Sequence, residues 1–198
     1  LLLALSLIAL PTAAFAHTGA GDTAGFLHGF AHTVGGLDHV LAMVAVGADG
    51  SPHYSFRGEG CADRQLLPKH LPELDAGVRG LHIGSFSLVV QPIADTLLAL
   101  VRRESGKRLI SLDPNVRLNP EPDIERWRER ISTLVEHADL IKVSDEDLNL
   151  LYPGRDPQNV IAGWLEHRCQ LVFLTRGGQG ATVFSRRHGT WSVPASAV

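Results

Sequence analysis

From Ser51 onward, short apolar segments alternate with stretches of helical periodicity, and Gly, Pro and Asp separate them. This alternation predicts an α/β fold in which helices flank a mainly parallel sheet. The predicted strands lie near Leu81–Ile83, Arg108–Leu112, Leu140–Val143, Leu171–Thr175 and Ala181–Phe184.

Helices are expected between these strands. Apolar residues recur with the 3.6-residue period of a helix over residues 93–101 and again over residues 124–135. Asp123 is the predicted N-cap of the second helix, and Pro122 keeps that helix from extending backward. A third helix is predicted from Pro157 to His167. We interpret the apolar stripes of these helices as core.

The charges of the chain are distributed unevenly. All 18 basic residues lie at or after Arg57, and the first 56 residues carry only three charges, all of them acidic. The whole chain has a net charge of -3, so it lacks the basic excess of a nucleic-acid-binding protein. Its two cysteines exclude a small disulfide-stapled protein. The asymmetry indicates two segments of different origin or environment.

Residues 1–16 have the pattern of an export signal. Leu1 to Leu10 is almost wholly apolar, Pro11 interrupts it, and the small residues Ala14 and Ala16 flank Phe15 as at a signal-peptidase site. The alternative is a buried core helix.

Residues 17–47 are rich in histidine and glycine, and an apolar run from Val40 to Ala48 begins within them. The imidazoles of its four histidines, together with the carboxylate of Asp38, are donors that suit nickel or zinc; the histidines are His17, His28, His32 and His39. The alternative is that these side chains are structural or merely exposed, since spacing alone is a weak signal for a metal site.

The segment from His32 to His39, followed by Val40 to Met43, resembles the first transmembrane region of the HupE/UreJ family. Members of that family are membrane proteins associated with nickel supply. This chain has Thr33 where the family motif has Pro. The resemblance implies that His32, Asp38 and His39 handle Ni²⁺. The apolar run stops at Asp49, short of the about 20 residues that span a bilayer, so these residues alone cannot form a transporter.

Polar side chains lie at or directly after the ends of three predicted strands, within 113–117, 142–147 and 175–180. Ligands of open α/β sheets bind beyond the carboxyl ends of the strands, where cations and amides can hold phosphates and carboxylates can hold Mg²⁺. Together the three segments predict an ATP site. Taken singly, they have simpler interpretations as a turn, a helix start and a hairpin.

Four segments resemble the PfkB (ribokinase-like) family of sugar kinases, and its fructokinases in particular. They are residues 49–56, 111–117, 138–148 and 174–181, and they occur in the order of the family and at its spacing. The resemblance runs from about Ala48 to Val198. It implies a partial ribokinase-like fold and ATP-dependent phosphorylation of a fructose-like sugar, with Mg²⁺ bridging the phosphates.

The resemblance also implies roles for individual residues. Asn115 and Arg117 would lie beside the phosphates. Lys142, a cation of the three polar segments, is a further expected phosphate-binding residue. Ser144 and Asp147 would occupy the Asn-x-x-Glu positions of the family, with Asp147 binding Mg²⁺ through water. The residues expected to line the nucleotide are Thr175, Gly177 and Gly180.

The family's catalytic base belongs to a Gly-Ala-Gly-Asp turn, which we expect beyond Val198, so no catalytic residue is assigned. We therefore expect no sugar kinase activity from these 198 residues. The same four residue types occur at Gly19 to Asp22, and a circularly permuted kinase would use Asp22 as its base. The residues around that tetrapeptide differ from those of the family, and this makes the permuted arrangement the weaker hypothesis.

Three hypotheses follow: a sugar kinase fragment, a membrane protein that handles nickel, and a non-catalytic fusion that binds nucleotide. The expected organisation is a signal-like segment (1–16), a HupE/UreJ-like segment (17–47) and a partial kinase domain (48–198). The expected junction near Gly47–Asp49 joins pieces of two unrelated genes, by fusion, deletion or assembly error. ATP chemistry and the cysteines Cys61 and Cys169 favour the cytoplasm for the kinase part, whereas the N-terminal segment favours export or membrane insertion. Unpaired sheet edges favour homo-oligomers or aggregation.

Overall fold

The computed structural model describes residues 41–46, 52–57 and 65–195. Its strands are β1 (Leu41–Val46), β2 (Pro52–Arg57), β3 (Gly80–Gly84), β4 (Leu109–Asp113), β5 (Leu140–Ser144), β6 (Leu171–Thr175), β7 (Ala181–Ser185) and β8 (Gly189–Val193). Its α-helices are α1 (Ile93–Glu104), α2 (Ile124–Val135), α3 (Asp145–Leu151) and α4 (Pro157–Glu166).

Strands β3 to β8 form a six-stranded mixed sheet in the order β3-β4-β5-β6-β7-β8. The four strands β3 to β6 run parallel, whereas β7 and β8 continue the sheet antiparallel to their neighbours. The predicted α/β fold with a mainly parallel sheet is therefore confirmed. All five predicted strands are present, with ends that differ from the prediction by at most one residue.

One face of this sheet packs against the helices. Ile110 and Leu112 of β4 and Ile141 of β5 are fully buried, and they share a core cluster with Val101 of α1 and Trp127 of α2. The intervening strand residues point to the other face, because successive side chains of a strand alternate. By this alternation and the strand register, Asp113, Lys142 and Thr175 lie on that other face.

Local sequence fixes where the helices begin. The side chain of Asp123 accepts a hydrogen bond from the Glu125 backbone N–H at 3.0 Å, which confirms it as the N-cap of α2. Helix α4 begins the same way, with Asp156 as N-cap and Pro157 in its first turn. Inside α2, the indole N–H of the buried Trp127 donates to the carbonyl of Glu121 at 3.0 Å, so this large side chain is buried without losing a hydrogen bond.

Strands β1 and β2 pair antiparallel, with Leu41 opposite Arg57 and Val46 opposite Pro52. The apolar run from Val40 to Ala48, which the sequence suggested as the start of a membrane span, contains the β-strand Leu41–Val46. The two strands lie on either side of the expected boundary between residues 47 and 48. Within the ranges that the structure describes, no helix is both long and apolar enough to cross a bilayer.

The predictions made for the first 40 residues lie outside the described part of the chain. They concern the signal-like segment, the possible base Asp22, and the nickel positions His32, Asp38 and His39.

Candidate functional site

The carboxyl ends of β4, β5 and β6 lie side by side at one edge of the sheet. Gly84 at the end of β3 pairs with Asp113 at the end of β4, and Ser144 at the end of β5 pairs with Thr175 at the end of β6. The sequence prediction that the three polar segments meet at one edge is therefore confirmed.

A cation lies on this edge. The ammonium of Lys142 is 3.1 Å from a carboxylate oxygen of Asp113, so the pair links β5 to β4. The Lys142 side chain is 38% exposed and that of Asp113 is 20% exposed. An ion pair this accessible contributes only about 0–1 kcal/mol to stability, so the positive charge remains available to an incoming anion.

The loop after β4 has an unusual backbone. Asn115 has a φ of 40°, in the left-handed region that asparagine tolerates better than most residues. The neighbours on either side are fixed by hydrogen bonds: the carbonyl of Pro114 accepts from the Ser85 N–H at 3.2 Å, and the N–H of Val116 donates to Asp147 at 2.9 Å. Asn115 is thus presented from a backbone that is anchored on both sides.

Arg117 completes this loop. Its guanidinium Nη1 donates to the carbonyl of Val116 at 2.8 Å, and the residue is half-buried. Asn115 and Arg117 therefore lie in the same loop after β4.

A cavity of about 360 Å³ opens beside this loop, at the ends of β3 and β4. Asn115 and Asp113 line it together with His82, Gly84 and Ser85. Gly84 is required there, since a Cβ at that position would lie 2.4 Å from the carbonyl oxygen of Asp113.

Sequence reasoning missed His82 and Ser111. The imidazole Nδ1 of His82 lies 3.1 Å from the hydroxyl oxygen of Ser111 on the adjacent strand. The only sequence signal was a histidine inside an otherwise apolar strand, and that signal does not reveal a partner 29 residues away.

Ser144 is the N-cap of α3, and its hydroxyl oxygen accepts from the backbone N–H of Asp147 at 3.0 Å. The acidic residues Asp145, Glu146 and Asp147 form the first turn, where the helix dipole favours negative charge. The simpler interpretation of this segment as a helix start is confirmed. Asp147 is also buried, with 5% of its surface exposed.

The glycine segment after β6 connects two antiparallel strands, so its interpretation as a hairpin connection is also confirmed. Residues Gly177–Gln179 form a short 3₁₀ helix, and Gly180 follows with a φ of 86°. A Cβ on Gly180 would lie 2.1 Å from the carbonyl oxygen of Val193, so only glycine lets β8 approach here. Thr175 lies at the start of this segment, and its hydroxyl donates to the carbonyl of Val143 at 3.5 Å.

Among the residues that the structure describes, no three His, Cys, Asp or Glu side chains cluster as a ready-made metal cage. Mg²⁺ does not need one, because it commonly binds through one or two carboxylates plus waters and substrate phosphates. A single carboxylate such as that of Asp147 is enough for this mode of binding.

Comparison with known proteins identifies the family of this chain. Residues 61–198 match the pfkB family of carbohydrate kinases. The chain belongs to the pfkB carbohydrate kinase family. Residues 4–55 separately match the HupE / UreJ protein family. Both resemblances inferred from the sequence are thus found.

Curated relatives of this pfkB-family chain include a fructokinase from Rhizobium leguminosarum bv. trifolii, 36% identical over 138 residues, which are 70% of this chain and 42% of that protein. Fructokinase-2 from Solanum lycopersicum is 34% identical over 161 residues, 78% of this chain and 48% of that protein. This chain therefore spans about half the length of the curated relatives it matches.

The fold of this chain is similar to those of solved sugar kinase structures. A fructokinase from Xylella fastidiosa aligns with a TM-score of 0.67 at 27% identity, over 79% of this chain and 49% of that chain. The Xylella fastidiosa fructokinase with bound ATP aligns with a TM-score of 0.64 at 26% identity, over 77% of this chain and 49% of that chain. A Vibrio cholerae O395 fructokinase in a fructose, ADP and potassium ion bound form has a TM-score of 0.68 at 24% identity, over 79% of this chain and 51% of that chain. The described fold is ribokinase-like.

Proposed function

We propose that this chain supplies the ATP-binding part of a sugar kinase site, and that a fructose-like sugar is the phosphoryl acceptor. The observation that carries the proposal is the meeting of three polar strand ends at one sheet edge, with the accessible ammonium of Lys142 between them. The choice of sugar is supported by the curated relatives, which are named fructokinases.

The residues at this sheet edge have different roles in the proposal. Lys142, Asn115 and Arg117 bind phosphate oxygens, because a cation, an amide and a guanidinium are the donors that phosphate accepts. Ser144 and Thr175 place hydroxyls next to the nucleotide. Gly177, where an added Cβ would meet no atom within 4 Å, lets the nucleotide approach the backbone of the turn, and Gly180 lets β8 pack closely against the same turn.

Mg²⁺ is the divalent cation expected with ATP. Bound to the phosphates, it would neutralise charge on the transferred group. Asp147 would hold it through water, using the carboxylate oxygen that does not accept from Val116.

Calorimetry with MgATP tests this proposal. Lys142→Met removes the cation at the edge, and Lys107→Met removes an exposed lysine at the opposite end of the sheet, where it lines a groove with Arg79 and Arg168. A hydrogen bond to a charged group contributes about 1.5–3 kcal/mol, so Lys142→Met should raise the Kd for MgATP at least about tenfold. Lys107→Met should leave it unchanged. Equal affinities in all three proteins, or no binding to the unaltered chain, would refute the proposal.

A coupled assay with ATP and fructose addresses turnover separately. The expectation from the sequence is no turnover above background by these 198 residues. Loss of any observed turnover in an Asp22→Asn variant would favour the permuted arrangement.

The match of residues 4–55 to the HupE / UreJ protein family leaves nickel handling as a second hypothesis for the N-terminal part. His32, Asp38 and His39 lie outside the described residues, so Ni²⁺ at these positions stays a prediction. Cytoplasmic location of the kinase part, membrane association of residues 1–47, and homo-oligomerisation also stay predictions.

A further inference from the structure

Asp147 is a buried carboxylate that links two distant parts of the site. It belongs to the first turn of α3, and its Oδ1 accepts a hydrogen bond from the backbone N–H of Val116, 31 residues earlier, at 2.9 Å. We propose that Asp147 is a positioning residue: it fixes the loop that presents Asn115 and Arg117, independently of any bound metal.

The loop needs such a partner. Val116 is 4% exposed and packs in the core, so its N–H has no access to bulk water. An unsatisfied buried N–H is costly, and the Asp147 carboxylate is the acceptor that satisfies it. The preceding residue, Asn115, is in the left-handed region with a φ of 40°, a backbone state that persists where the surroundings enforce it.

Asp147 can enforce that state because its own position is fixed. Its backbone N–H donates to the hydroxyl of the N-cap Ser144 at 3.0 Å. The residues Leu148 and Leu151 of the same helix are buried, which seats α3 on the core. The Asp147 carboxylate is therefore a hydrogen-bond acceptor in a fixed position next to β5, and the loop after β4 is hydrogen-bonded to it.

This arrangement separates two roles that one carboxylate can have. Accepting from Val116 requires an oxygen acceptor but no negative charge, so an asparagine side chain at position 147 could still do it. Binding Mg²⁺ through water depends on the negative charge. The pair of variants Asp147→Asn and Asp147→Ala therefore distinguishes positioning from metal binding.

Amide hydrogen exchange in EDTA tests the positioning role without metal or nucleotide. We expect slow exchange at the Val116 N–H in the unaltered chain and in Asp147→Asn. Asp147→Ala should accelerate exchange there by about tenfold or more, since a buried N–H loses a charged acceptor. Glu146→Ala, which removes an exposed carboxylate from the same helical turn, is the control and should change nothing at Val116.

Exchange at Val116 that is as fast in the unaltered chain as in exposed loops would overturn the proposal. So would exchange in Asp147→Asn that is as fast as in exposed loops. Both measurements remain decisive if Asp147→Ala does not fold.

The consequence for ligand binding rests on the proposed function and uses ATP as the probe, in EDTA and in Mg²⁺. If Asp147 acts through the loop, Asp147→Ala weakens ATP binding in both buffers, and Asp147→Asn restores binding in EDTA. The loss from Asp147→Ala should also largely disappear in an Asn115→Ala background, because residues of one network are not additive. A purely structural effect on stability would not produce this coupling.

Two further outcomes are separable. In the first, both Asp147 variants bind ATP more weakly in Mg²⁺ but as tightly as the unaltered chain in EDTA. This result would assign Asp147 to the metal alone and overturn the positioning role. Absence of ATP binding by the unaltered chain would instead reject the proposed function, and hydrogen exchange at Val116 would still decide whether Asp147 fixes the loop.

Discussion

The glycine segment between β6 and β7 allows a graded test of the structure. Three of its glycines differ in what an added methyl group would meet. A Cβ on Gly178 or Gly177 would meet no atom within 4 Å, but Gly177 has a φ of 49° whereas Gly178 has no positive φ. Gly180 combines a φ of 86° with backbone atoms that lie closer to the added Cβ than van der Waals contact allows. Alanine substitutions at these three positions therefore separate the cost of a positive φ from the cost of a steric clash.

The expected magnitudes follow from these environments. Gly178→Ala should change the free energy of unfolding by no more than about 0.5 kcal/mol, as at other open surface positions. Gly177→Ala should cost about 1 kcal/mol, because an L-residue is placed in the left-handed region. At Gly180 the added Cβ would lie 2.1 Å from the Val193 carbonyl oxygen and 2.8 Å from the Ala195 nitrogen. Backbone strain of about 1–3 kcal/mol then adds to a steric displacement of similar cost.

We therefore expect Gly180→Ala to be destabilised by about 3 kcal/mol, or by about 6–12 °C in Tm. Urea unfolding followed by far-UV circular dichroism measures all three variants against the unaltered chain. The reasoning would be refuted if Gly180→Ala were as stable as Gly178→Ala, since β8 could then not lie where the structure has it.

Two further predictions concern ionisable groups. Burial opposes the charge of Glu104, but hydrogen bonds from Arg108 at 2.9 Å and Arg103 at 2.7 Å outweigh it and hold the Glu104 pKa below its ordinary value of 4.5. Because the pKa of Glu104 is lower in the folded state, its carboxylate stabilises the fold above about pH 4.5, and this contribution is lost as the pH falls. In urea unfolding at a series of pH values, Glu104→Gln should therefore lose less stability below pH 5 than the unaltered chain. An equal loss of stability in both proteins would contradict this. Burial raises the pKa of the Cys169 thiol to about 11, so iodoacetamide at pH 8 should leave the Cys169 peptide unlabelled until urea unfolds the chain. Labelling of that peptide in the native protein, read by mass spectrometry apart from the Cys61 peptide, would show the thiol to be accessible.

Periodicity and capping signals were sufficient to predict most of the α/β part. The apolar residues that recur every 3.6 positions predicted α1 and α2, Asp123 predicted the start of α2, and short apolar runs predicted β3 to β7. These features are local, and each depends on residues close in sequence. The meeting of the site segments was also predictable, because the carboxyl ends of parallel strands share one edge of a sheet.

Other elements could not be predicted, for physical reasons. Every residue of β8 is exposed, so its sequence carries no burial pattern, and its pairing with β7 is the only feature that defines it. The run that contains β1 is short and apolar, and periodicity alone does not separate a strand from a helix in such a run. The contacts between Asp147 and Val116, and between His82 and Ser111, join residues about 30 positions apart, which no local pattern encodes.

Hydrogen exchange with and without MgATP, read by peptide mass spectrometry, tests the central claim most directly. The claim is that phosphates bind at the edge formed by the ends of β4, β5 and β6. We predict that MgATP slows exchange in residues 113–117, 142–147 and 175–180, and leaves unchanged the opposite ends of the same strands, around residues 106–109 and 168–170. Protection confined to the opposite ends, or none at the three predicted segments while MgATP binds, would contradict the claim.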